Sequence, residues 1–97
     1  MSVDLKSKND VKIQKPKKYA VIMLNDDFTP IEFVMELLIR IFNKQADEAA
    51  KLTMDIHKKG KCVAGVYTYE IAETKMIMAE NAVKQEEHVL RLVIEEV

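Results

Sequence analysis

The period of apolar positions changes several times along this chain, and each change marks an element. Residues 1–17 show no apolar periodicity. They are polar and lysine-rich with Pro16 near their end, so a flexible arm is expected there, ahead of a folded core over residues 18–97. Tyr19 to Leu24 is short, apolar and partly β-branched, and turn-forming residues follow it, which predicts a buried strand. After the cluster Asn25-Asp26-Asp27-Phe28, the run Thr29-Pro30-Ile31-Glu32 reads as a helix start. Thr29 fits the N-cap, Pro30 the first helical position, and Glu32 completes a capping box. Ile31, Val34, Leu37, Leu38 and Ile41 recur at helical spacing and carry this helix to about Phe42, where Asn43 and Lys44 break it. A second helix is predicted from about Ala46 to Lys59, with Ala46, Ala49, Ala50, Thr53, Ile56 and His57 on one face. Lys58 and Lys59 suit the negative end of its dipole, and Gly60 suits a left-handed cap. Cys62 to Tyr69 is β-rich and predicts a second strand. Glu70 to about Glu86 predicts a third helix with Ala72, Met76, Ala79 and Val83 as its inner stripe. From His88 to Glu95, Leu90, Leu92 and Ile94 alternate with Arg91, Val93 and Glu95, the pattern of a half-buried strand.

The predicted order is β-α-α-β-α-β. Strands of this kind need a layer to cover them, so the expected class is α+β: a three-stranded antiparallel sheet packed against three helices. A chain of 97 residues makes one domain with a modest core, able to carry a surface cleft but not to enclose a large cofactor.

Charge modifies this picture. The whole chain carries 15 basic and 16 acidic residues, a net charge of −1. Residues 1–18 hold six lysines against Asp4 and Asp10, so the remainder is distinctly acidic. An acidic body repels phosphates, which argues against nucleic acid as the ligand. The single cysteine, Cys62, excludes an intrachain disulfide and suits a reducing compartment. Neither a signal-peptide pattern nor an apolar run of membrane-spanning length is present. The expectation is a cytoplasmic protein with no membrane association.

Candidate chemistry is sparse. Cys62 sits in an apolar strand with no histidine in local reach, as a buried small hydrophobe does. With only two glycines, the chain has no nucleophile elbow or phosphate-cradling loop. A metal site from Asp26, Asp27 and His57 lacks further ligands, and no metal or cofactor is expected. Two features remain. Asn25, Asp26 and Asp27 fit either a self-bonded turn or a row of acceptors facing a ligand. His57, beside Thr53 and Ile56, fits either a core histidine or a site residue. Together they suit a cation attached to an apolar group, such as a protein N-terminus whose ammonium has three donors and no acceptor.

The run from Asn25 to Val34 resembles the NDDYTPMEFV signature of the ClpS adaptors. Ile56-His57 with Gly60, and the block from Gly65 to Lys75, are similar to that family as well, in order and spacing, over about residues 18 to 96. The resemblance implies a non-catalytic α+β adaptor that recognises the N-degrons Leu, Phe, Tyr and Trp. It further implies delivery of such substrates to the ClpAP unfoldase-protease by docking on the ClpA N-terminal domain. A monomer is expected. Asn25, Asp26, Asp27 and His57 would then hold the α-amine and first peptide groups. Thr29, Ile31, Val34, Thr53, Ile56 and Leu90 would line the side-chain pocket. Glu70 and Lys75 would face the unfoldase, and residues 1–17 would be engaged during delivery. The family usually has Met where Ile31 and Thr53 stand, Tyr in place of Phe28 and Pro in place of Val89. A ribosomal-stalk-like interaction domain and a small acid–base enzyme are the alternative readings.

Overall fold

The computed structural model describes residues 16–97, and its six elements follow the predicted order. They are β1 (Tyr19–Leu24), α1 (Ile31–Arg40), α2 (Ala46–Lys59), β2 (Lys61–Tyr67), α3 (Tyr69–Gln85) and β3 (Arg91–Glu96). The expected arm lies outside the described residues apart from Pro16 and Lys17.

The sheet is antiparallel throughout, in the order β2-β1-β3. This order explains the two strand patterns. β1 is central, and Ala20, Val21, Ile22 and Met23 are all buried, so it reads as a continuous apolar run. β3 is an edge strand, and only its alternate positions had to be apolar. The pairing of β1 with β2 slips by one residue: Val21 faces Gly65 while Ile22 faces Val63. Ala64 is the extra residue of this bulge.

The core lies between sheet and helices. Val21, Met23, Cys62, Ala64 and Leu92 meet Phe33, Val34, Leu37 and Leu38 of α1, Ala49 and Ile56 of α2, and Ala72, Ala79 and Val83 of α3. Small residues along α2 and α3 let these helices approach the sheet closely. Burial pushes the Cys62 thiol up to about 11, with help from the negative charge of Asp55. Cys62 is therefore expected to resist a thiol reagent at pH 8 in the native protein and to react promptly in denaturant, because the thiolate is the reacting form. A free-thiol assay with and without guanidinium checks this.

Gly60 closes α2 at φ 86°, and its N–H donates to the Ile56 carbonyl at 3.0 Å. The Gly60 carbonyl accepts from Asn25 N–H at 2.9 Å, which fastens the loop after β1 to the end of α2. Several boundaries depart from expectation. β2 ends at Tyr67, because Tyr69 already belongs to α3. β3 begins at Arg91 rather than His88, after Glu87 takes φ 57°. The predicted apolar face of α2 is too broad: Ala49, Thr53 and Ile56 are buried, whereas Ala46, Ala50 and His57 are exposed.

The predicted capping box does not form. Pro30 is extended at ψ 145° and is itself the N-cap of α1, with no side-chain cap. Its carbonyl accepts from the N–H groups of Phe33 and Val34. Thr29, free of the helix, turns its hydroxyl back into the preceding loop.

Candidate functional site

That turn is made by Asp26. Its Oδ1 accepts from the N–H groups of Phe28 and Thr29, both at 2.7 Å, and its Oδ2 accepts from the Thr29 hydroxyl at 2.8 Å. Partial burial pushes the carboxyl upward. The Phe28 and Thr29 hydrogen bonds outweigh it, aided by the field of His88, and hold Asp26 below the ordinary value of 3.8. Three of about four acceptor positions on this carboxylate are filled. Asp26 thus shapes the loop first and offers little to a ligand. A carboxyl that is held ionised in this way makes a poor general acid, which weakens the acid–base reading.

Behind the loop lies a small cavity of ≈ 80 Å³. Its apolar part comes from Val34 of α1, Thr53 and Ile56 of α2, and Leu90 ahead of β3; all four are buried. Thr53 contributes no free donor, since its hydroxyl donates to the Ala49 carbonyl at 2.8 Å within α2. Asn25, Asp26, Thr29 and His57 supply the polar part, and Ile31, 56% exposed, stands at the rim. Nine of the ten residues expected for the amine site and pocket therefore share one cavity. Asp27 does not line it; it sits exposed at the adjoining turn of the loop.

Asn25 and His57 differ from Asp26 in one respect. Among the described residues, neither side chain has a hydrogen-bond partner. An amide and an imidazole at the mouth of an apolar depression can both turn acceptors toward an incoming donor.

Two larger cavities lie elsewhere. One of ≈ 210 Å³ runs between α1 and α3, lined by Phe33, Glu36, Leu37, Arg40, Ala82 and Glu86 among others. The other, ≈ 480 Å³, opens beside β2 near Leu52, Asp55, Lys59 and Val63. Glu36 is paired with Arg40 and Asp55 with Lys59, whereas Glu86 beside the first cavity and Lys61 and Glu95 beside the second have no ion-pair partner among the described residues. Neither is lined by Asn25, Asp26, Asp27 or His57, so size does not mark the expected site here.

His88 was not singled out from sequence. Its ring packs on Phe33 with centroids 4.3 Å apart, and its field reaches Asp26. Nothing in the local pattern signals this, because the contact joins α1 to the segment before β3. Of the two residues expected to face a partner, Glu70 is exposed in the first turn of α3. Lys75 is half-buried, and its ammonium donates to the Ile41 carbonyl at 2.6 Å and to Asn43 Oδ1 at 2.8 Å. Among the described residues, no three His, Cys, Asp or Glu side chains converge as metal ligands. No helix there is long and apolar enough to cross a membrane.

Fold and cavity together describe a small α+β domain with a polar-mouthed apolar cavity. The model of the ATP-dependent Clp protease adaptor protein ClpS matches residues 14–93. The chain belongs to the ClpS family of Clp protease adaptors. It is 45% identical over 91 residues to the ATP-dependent Clp protease adapter protein ClpS of Acetivibrio thermocellus, covering 94% of this chain and 92% of that one. To the ClpS of Clostridium acetobutylicum it is 46% identical over 96 residues, covering 99% and 95%. Among solved structures, Agrobacterium tumefaciens ClpS2 bound to L-phenylalaninamide superposes with a TM-score of 0.81 at 36% identity, over 86% of this chain and all of that one. These matches displace the ribosomal-stalk-like alternative.

Proposed function

We propose that this adaptor captures proteins through a free N-terminal residue with a large apolar side chain, Leu, Phe, Tyr or Trp, and delivers them to a ClpA-type unfoldase of the Clp protease. The observation that carries the reading is the pairing, in one cavity, of Asn25 and His57, whose side chains have no hydrogen-bond partner among the described residues, with a floor of Val34, Thr53, Ile56 and Leu90. The ligand of the Agrobacterium relative supports it, because phenylalaninamide joins a free α-amine to an aromatic side chain and an amide, as a Phe N-terminus does. Asn25 and His57 accept from the ammonium, Asp27 adds its charge from beside the mouth, and Asp26 and Thr29 keep the loop in shape.

Magnitudes agree with transient capture. Two or three charge-assisted hydrogen bonds contribute roughly 1.5–3 kcal/mol each. Burying the side chain contributes roughly 1.5–3 kcal/mol more. Association removes several kcal/mol, leaving a Kd on the order of micromolar. An internal residue lacks the ammonium, N-terminal Ala leaves the cavity empty, and N-terminal Asp places a carboxylate among apolar groups.

The unfoldase face lies at the exposed start of α3, around Glu70, on a helix that contributes no residue to the cavity lining. The adaptor works there as a monomer in the cytoplasm. A fluorescence-anisotropy panel of peptides with Phe, Leu, Ala and Asp first residues tests the reading. Phe and Leu peptides should bind and N-acetylation should abolish that binding. Equal binding of acetylated and free peptides would overturn it.

A further inference from the structure

The α1–α2 turn is held from outside by Lys75. α1 ends with Ile41 as its C-cap, and the Ile41 carbonyl belongs to the negative end of the helix dipole. Helices commonly place a cation there from their own last turn. Here the cation comes from α3, more than 30 residues along the chain. Its ammonium bridges the Ile41 carbonyl and Asn43 Oδ1. Asn43 sits at φ 59°, a left-handed conformation that few residues other than Gly and Asn tolerate, and its side chain is the second acceptor. A third contact completes the seat. Lys75 Nζ lies 5.8 Å from the centroid of the Tyr67 ring, within cation–π range. Tyr67 in turn folds back over Gly65, where a Cβ would lie 2.1 Å from the Tyr67 hydroxyl. Gly65, Tyr67, Lys75, Ile41 and Asn43 therefore form one connected chain of contacts from the sheet to the turn.

The two helices joined by that turn carry the cavity walls. α1 brings Ile31 and Val34, and α2 brings Thr53, Ile56 and His57. We propose that Lys75 is a positioning residue of the peptide site: by clamping the α1–α2 turn onto α3 it sets the separation of the two helices that line the cavity. Its ammonium is engaged inside the molecule, so a substitution acts on substrate binding even where no unfoldase is present. The proposal rests on the peptide-binding reading of the cavity given above.

Two variants of the full chain test it. Lys75→Met keeps the length and apolar stem but removes the donors; Lys75→Arg keeps donors and charge. Affinity for a free-amine Phe peptide is measured by anisotropy without any unfoldase, alongside amide hydrogen exchange in the turn. Lys44 N–H, bonded to the Leu38 carbonyl, is the reporter there. Lys75→Met should weaken peptide binding roughly three- to tenfold, since about 1.4 kcal/mol is tenfold, and should speed exchange at Lys44. Lys75→Arg should restore both to within about twofold, because a guanidinium also donates to both acceptors. Faster exchange with parental peptide affinity would overturn the positioning role and leave a purely structural clamp. Parental values in both readouts, with only unfoldase affinity reduced, would make Lys75 a partner contact instead. A parent protein that binds no free-amine peptide overturns the cavity reading, and the exchange rates then still decide whether the clamp exists.

Discussion

Asp26→Ala is expected to weaken binding of a free-amine Phe peptide more than tenfold while leaving the fold largely intact. The carboxylate gathers the N–H groups of Phe28 and Thr29 and the Thr29 hydroxyl, and so fixes the path of the loop between β1 and α1. Alanine removes every one of these acceptors. The exposed loop then rehydrates, so stability loses little, but Asn25 and Asp27 no longer hold a fixed position. Preorganised acceptors bind better than mobile ones by the ordering cost they avoid, roughly 0.5–1.5 kcal/mol per side chain. Asp26→Asn should fall between, since an amide oxygen still serves the two N–H groups. Anisotropy titration together with far-UV circular dichroism checks the pair. Affinity within twofold of the parent for Asp26→Ala would remove Asp26 from the site.

The same carboxylate sets an acid limit. Its folded value lies below 3.8, so ionisation stabilises the loop above the ordinary carboxylate range. That contribution disappears as pH falls through the lowered value. Through this group, loop geometry is therefore constant from neutral pH down through the ordinary carboxylate value and is lost only as pH falls further, through the lowered one. Backbone amide shifts of Phe28 and Thr29, followed from pH 6 to 3, should move together late in that range.

Element order was legible because the period of apolar positions is a local property. α2 was predicted from Ala46 to Lys59 and spans those residues, since Gly60 leaves one way to end it and Lys58 and Lys59 agree with that end. The start of α1 misled for a physical reason. Thr29-Pro30-Ile31-Glu32 satisfies the capping-box pattern, but Asp26, three residues earlier, offers the Thr29 hydroxyl a charged acceptor, and charge-assisted hydrogen bonds are the stronger ones. The nine cavity residues lie in three separate stretches, and spacing alone does not join them; the family resemblance does. Lys75 shows the opposite limit. Its sequence neighbours place it on a solvated face of α3, and only the folded turn reveals the two oxygens that hold it.

Ile56→Ala is expected to cost the most stability and also to change which N-termini bind. Ile56 is 4% exposed, belongs to the core and lines the cavity. Truncating a buried Ile costs roughly 2–5 kcal/mol. In a domain of this size each kcal/mol lowers Tm by about 4–8 °C, so a fall of roughly 8–40 °C is expected. A sealed void would remain empty, whereas this one opens into the cavity, where a ligand side chain can fill it. Bulky first residues should then recover part of the lost stability through mass action, and small ones should not. Thermal shifts with free-amine peptides beginning with Leu, Phe and Trp, taken on parent and variant, read this directly. The variant should favour Trp over Leu more than the parent does. Ile56→Val, which costs only about 0.5–1.5 kcal/mol, keeps the test available where the alanine variant does not fold. An unchanged ranking in both variants would show that the space behind Ile56 is closed to the ligand, and would place the floor of the pocket on Val34, Thr53 and Leu90 alone.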